Sequence, residues 1–236
     1  MKNLGLLTAM ILISFAPTHA QLPSLSSRPS FLASQLNYPR VRVALQNQGK
    51  SVDDYLKINN IDKNTLQIKL MAFKAEGVLE LWAKSDKKQP YILLKEFDIC
   101  AKSGRLGPKL KQGDGQVPEG NYFIDRFNPN SQYHLSLGIS YPNNIDKKRS
   151  EGLNPGGDIF IHGKCVTIGC LPMTDEIIEQ IYLLAVYARN SGQKQIPVSI
   201  FPFRMTNENL RLAENTELGK LWISFWRELA KHHNNK

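Results

Sequence analysis

Asp158-Ile-Phe-Ile-His-Gly-Lys-Cys-Val-Thr-Ile-Gly-Cys-Leu-Pro-Met173 is the segment around which the rest of the chain is read. Its first five residues alternate, and a β-strand sends Phe160 and His162 to one face and Ile159 and Ile161 to the other. Gly163 and a short polar turn follow. Gly169-Cys170 comes next, and Pro172 forbids a helix through that point. Such a turn sets a thiol beside an imidazole.

A free thiol with a pKa of roughly 8.5 is only a few per cent thiolate at neutral pH, and a neighbouring histidine lowers that pKa and returns the proton later. Cys170 is therefore the expected nucleophile and His162 its base. Gly169 lets the backbone turn sharply, so the amides of Gly169 and Cys170 are the expected oxyanion donors. A zinc site of His162, Cys165 and Cys170 would need a fourth ligand, and no second spaced pair is present, so no metal is expected.

Outward from this segment the chain reads as mainly β. Strand patterns cover Leu66 to Phe73, Val78 to Ala83, Tyr91 to Ile99, Asn121 to Arg126, Tyr133 to Ser140 and Gln195 to Phe203. The Tyr133 strand should place His134, Ser136 and Gly138 opposite Tyr133, Leu135 and Leu137. Ser103 to Gly120 is a long glycine-rich irregular stretch, and Pro142 to Gly157 a polar, lysine-rich loop suited to a lid. Thr174 should cap a helix from Asp175 to Arg189 with one apolar stripe through Ile177, Ile181, Leu184, Ala185 and Ala188. Two short helices are expected before the sheet, Arg40 to Gln48 and Val52 to Ile58, the second opened by a Ser51/Asp54 capping box. A last amphipathic helix is expected over Glu217 to Ala230.

The first twenty residues have a secretory layout, with Lys2, an apolar run from Leu4 to Ala16 too short to span a bilayer, and a cleavage site after Ala20. The expected divisions are 1–20 signal peptide, 21–64 linker (Leu22 to Ser34) and helical lead-in, 65–206 catalytic domain, and 207–236 C-terminal helix and tail. A net charge of +9, spread along the chain, suits an anionic envelope polymer, and no nucleic-acid motif is present. Three cysteines leave one unpaired. A Cys100–Cys165 bond closes a loop of about 65 residues, worth roughly 4 kcal/mol in the chain-entropy account, and leaves Cys170 free. A Cys165–Cys170 bond would block the nucleophile instead.

His162-Gly163 and Ile168-Gly169-Cys170 resemble the L,D-transpeptidase catalytic domain of the YkuD type, in its YafK-like branch. Ala72-Phe73-Lys74, Leu79-Glu80-Leu81-Trp82, Leu106-Gly107-Pro108-Lys109, Pro118-Glu119-Gly120 and Pro202-Phe203-Arg204-Met205-Thr206 agree with it, so the resemblance runs from about Leu66 to Thr206. It implies a curved sheet or sandwich with a packed helix and helical additions at both ends. It implies that Cys170 attacks diaminopimelate-containing peptidoglycan stem peptides in the periplasm, that His162 is the base, and that the Gly163 carbonyl orients the imidazole. No cofactor is implied. The acceptor is a second stem peptide, the lysine of an envelope lipoprotein, or water; some members of the branch resemble amidases that release the lipoprotein. His134, Ser136, Lys109 and Arg204 are the candidate substrate contacts, Arg204 as a carboxylate clamp. A non-enzymatic envelope-binding module is the remaining rival, and the oligomeric state is left open.

Overall fold

A computed structural model describes residues 30–86, 88–216 and 218–224. The expected signal peptide, most of the linker after it, the far half of the last helix and the tail lie outside the described residues.

Ser30 accepts a hydrogen bond from the Ala33 amide and caps a short helix, α1 (Phe31–Gln35), inside what reads in sequence as linker. Pro39 then opens α2 (Pro39–Ile58), one continuous helix in place of the two expected. Ser51 is an interior residue of α2 and caps nothing. Val41, Ala44, Val52 and Leu56 keep one buried face across the supposed break, and Lys50 pairs with Asp54 at 2.6 Å along the outside. Burial of that face overrides the local cap signal.

The strands are β1 (Gln67–Phe73), β2 (Val78–Lys84), β3 (Ile92–Asp98), β4 (Gly120–Asn128), β5 (Ser136–Ile139), β6 (Phe160–His162), β7 (Leu171–Pro172) and β8 (Pro197–Phe201). They form one mixed sheet in the order β3-β2-β1-β8-β4-β5-β6-β7. β1 with β8 and β6 with β7 run parallel; the other neighbours are antiparallel. A register shift between Ile124 and Arg126 bends β4, the strand that joins the two halves. β5 is shorter than its sequence pattern because His134 takes φ +66°, which ends the alternation before Leu135. The expected loop from Pro142 holds a helical turn, α3 (Asn144–Arg149), fixed by a reciprocal cap between Asn143 and Asp146.

Thr174 caps α4 (Asp175–Asn190). Every residue from Ile178 to Ala188 is buried, so the single stripe expected from periodicity is replaced by burial all round, while Ile177 is only half-buried. The reason is placement: α4 contacts β1, β5 and β6 on one side and α1 and α2 on the other. After β8, Thr206 caps α5 (Asn207–Glu214), a helix with no counterpart in the sequence reading, and residues 219–224 are helical. Among the described residues no helix is long and apolar enough to cross a membrane.

Candidate active site

β6 lies between β5, where Ser136 stands opposite His162, and β7, where Pro172 does. His162 is therefore walled in on both sides and 3% exposed. Its Nδ1 lies 2.6 Å from the Gly163 carbonyl. A carbonyl only accepts, so Nδ1 carries the proton and Nε2 presents a lone pair. Burial pushes the imidazole pKa below its ordinary value. Gly163 has no room for a side chain: a Cβ there would sit 2.5 Å from Asp175 Oδ1 and 2.9 Å from the Tyr133 carbonyl.

Cys170 comes one step before β7. The pairing of Ile161 with Leu171 and His162 with Pro172 sets Cys170 beside Phe160, on the face that Phe160 shares with His162. Thiol and imidazole thus stand on neighbouring strands and two residues apart along them, which separates their backbones by about 8 Å. The sulfur lies 3.7 Å from the Asp158 carbonyl. Burial pushes the thiol pKa up, the Phe160 backbone draws it down, and Asp158 and Lys109 add smaller opposed effects. Both shifts favour the uncharged form of their group. The direction runs against the expectation of a thiol acidified by its histidine, because both groups are desolvated and desolvation disfavours both charges.

The turn before Cys170 is organised by Thr167, which the sequence reading assigned no role. Its hydroxyl accepts from the amides of Gly169 (3.2 Å) and Cys170 (2.8 Å) and donates to the Cys170 carbonyl (2.9 Å). The two amides expected to be open oxyanion donors are therefore occupied in this structure, because a threonine two or three residues back closes a local turn on them. Gly169, at φ +136°, passes so near Gln116 that a Cβ would lie 2.9 Å from its carbonyl.

Cys100 and Cys165 are joined by a disulfide with Cα atoms 5.4 Å apart, and Cys170 is free. With its sulfur bonded, Cys165 is no thiolate ligand, and among the described residues no three His, Cys, Asp or Glu side chains gather as a metal site. The Cys100 amide also donates to the Pro172 carbonyl at 3.0 Å, tying the far side of the turn to the same anchor.

The other candidate contacts divide. Ser136 is 2% exposed directly across from His162. His134 is near, but its Nε2 lies 2.9 Å from Glu179 of α4, so that nitrogen is committed to a buried carboxylate. Lys109 is 4% exposed and spends its ammonium on Asp114 (2.6 Å) and the Lys111 carbonyl (2.9 Å). Arg204 is held by two carboxylates instead of standing free as a clamp. β8 pairs with β1 and β4 rather than β6, and it delivers Arg204 to Glu80 on β2 and Glu96 on β3, at the far end of the sheet. Sequence reasoning also missed Tyr133, whose ring centroid is 4.7 Å from that of His162. Alternation sent Tyr133 to the opposite face, and the left-handed residue after it undoes that pattern.

Residues 72–200 match the YkuD family, the L,D-transpeptidase catalytic domain. Over 155 residues the chain is 39% identical to YafK of Escherichia coli strain K12, whose name assigns it only provisionally as an L,D-transpeptidase, and equally to YafK of strain O157:H7. That match takes in 65% of this chain and 61% of the relative, so the chain spans less than two thirds of the relative's length. Among solved structures, the helical cell shape determining protein Pgp2 of Campylobacter jejuni is similar at 23% identity and a TM-score of 0.46, over 68% of this chain and 59% of Pgp2. Bd1075 of Bdellovibrio bacteriovorus is similar at 21% identity and 0.40, over 58% and 48%.

Proposed function

The chain belongs to the L,D-transpeptidase catalytic-domain family, and from that premise we propose that it is a cysteine acyltransferase of the bacterial cell wall, working on peptidoglycan stem peptides in the periplasm. Nε2 of His162 takes the Cys170 proton as sulfur attacks the carbonyl at the L-centre of a diaminopimelate residue. The tetrahedral centre collapses, the bond to the following D-residue breaks, and the imidazolium returns the proton to the departing amine. An acceptor amine from a second stem peptide then attacks the thioester, and the thiol is regenerated.

The observation that carries this reading is the tautomer of His162. With Nδ1–H held by the Gly163 carbonyl, the free lone pair lies on Nε2, and Cys170 emerges on the same face of the sheet. The developing oxyanion competes with the Thr167 hydroxyl for the Gly169 and Cys170 amides. The positive charge of the chain suits the acidic stems.

The test is to incubate the protein and its Cys170→Ala variant with diaminopimelate-containing tetrapeptide muropeptides and to read product masses. Crosslinked dimers lacking one terminal D-Ala, formed by the unmutated protein alone, are expected. Tripeptides alone would assign water as the acceptor, and release of protein from lipoprotein-bearing sacculi would assign the amidase reaction. A Cys170→Ala variant as active as the unmutated protein would overturn the nucleophile.

A further inference from the structure

The loop between β4 and β5 is held with unusual care for an exposed connection. Arg40 of α2 donates from one guanidinium nitrogen to the carbonyls of Ser131 and of His134, the latter at 2.8 Å. The Lys164 ammonium donates to the Gln132 carbonyl at 2.9 Å, and the Tyr133 amide to the Ser131 hydroxyl at 3.0 Å. His134, in the left-handed region at φ +66°, is fixed by Glu179, which also accepts from Asn47 of α2 at 3.2 Å. A side chain in that region costs free energy, which these contacts offset. What this bracing delivers is the Tyr133 ring, tilted 39° over the imidazole of His162.

We propose that Tyr133 is a positioning residue that clamps the His162 imidazole, and that Arg40 of α2 holds the loop that carries it. This rests on His162 being the base. The hydrogen bond at Nδ1 holds one edge of the buried imidazole, and an aromatic contact at the ring adds a second restraint on its tilt and so on where Nε2 points. Asp175 and the Tyr133 carbonyl crowd Gly163, which holds the carbonyl that binds Nδ1 in place, and the Tyr133 ring lies beside the imidazole. Tyr133 is 44% exposed, so its hydroxyl is not needed for the core, and the ring rather than the phenol does the positioning. By this account the helical lead-in is part of the site.

The titratable and charged groups on the elements that pack around β6 are Cys170 on the turn before β7, the His134–Glu179 pair, Asp175 at the start of α4, and Lys164 just after β6, whose amide donates to Asp175. None of these is removed in the test. The His162 Hε1 resonance, assigned by its loss in His162→Gln, is titrated by NMR in the unmutated protein and in Tyr133→Phe, Tyr133→Ala and Arg40→Met, alongside turnover on muropeptides. Tyr133→Phe should retain the resonance position, the midpoint and the turnover. Tyr133→Ala should lose the ring-current shift and, by admitting water, raise the midpoint toward about 6.5. Its kcat should fall about 10- to 100-fold with little change in KM. Arg40→Met should displace the resonance in the same direction. An alanine variant with unchanged resonance, midpoint and kcat would overturn the proposal, as would a phenylalanine variant as damaged as the alanine one. An unaltered Arg40→Met would remove α2 from it. If the unmutated protein shows no turnover on any murein substrate, the functional reading fails on its own, and the resonance still decides whether Tyr133 clamps His162.

Discussion

Burial acts on Cys170 and His162 in opposite directions, raising the thiol pKa and lowering the imidazole pKa, so in the proposed reaction proton transfer waits for substrate instead of preceding it. A small alkylating agent should therefore meet a thiol at mildly acidic pH. Iodoacetamide is expected to react slowly with Cys170 at about pH 6 and progressively faster toward and above the ordinary thiol range near about 8.5. Mass spectrometry of the modified protein checks this, and fast labelling at about pH 6 would reveal a preformed thiolate–imidazolium pair. At the same scale, the hydrogen bond from His162 to Gly163 and the free thiol at Cys170 follow from a local motif that the sequence displays. Thr167 lay inside that motif, yet its hold on two amides was not legible there, since a hydroxyl's partner depends on how the turn closes. Tyr133 gave no signal at all.

The glycine-rich stretch between β3 and β4 is an ordered wrap with its own polar centre. Asp114 accepts from the amides of Leu110, Lys111 and Gln116 and from the Lys109 ammonium, and together these hold its carboxyl down to about 2. The buried Lys74 bridges the same wrap to the sheet, donating to the carbonyls of Gly107 and Val117 and to Glu119, which in turn accepts from Trp222. A carboxyl whose folded pKa is depressed stabilises the fold above its unfolded pKa, and that contribution is lost as pH falls through the folded value. Stability should therefore decline between about pH 4 and about pH 2. Asp114→Asn should cost about 2 kcal/mol at neutral pH and flatten that decline, as read from urea unfolding at a series of pH values. An unchanged acid limb would place the sensitivity elsewhere. Lys109 read in sequence as a free cation for acidic substrates; only the folded wrap pairs it with a residue five positions on.

Across the whole molecule, the Cys100–Cys165 bond spans 65 residues and ties the chain just after β3 to the turn that carries Cys170. Replacing both cysteines by alanine should lower stability by roughly 4 kcal/mol in the chain-entropy account and loosen the turn, measurable as a lower Tm and faster amide exchange from Lys164 to Gly169. Unaltered exchange there would mean that Thr167 and Gln116 hold the turn by themselves. The sequence alone determined the strands other than β7 and the start of β5, the capped helix at Thr174, the family and the thiol–imidazole motif, because each is written in short-range period, turn chemistry or a contiguous run of residues. Only the tertiary structure decided that α2 is one helix, that α4 is buried all round, that Arg204 goes to Glu80 and Glu96, and that Tyr133 lies on His162. Each of those depends on which distant surface covers a residue, and burial and charge pairing between elements outweigh the local preferences that a sequence displays.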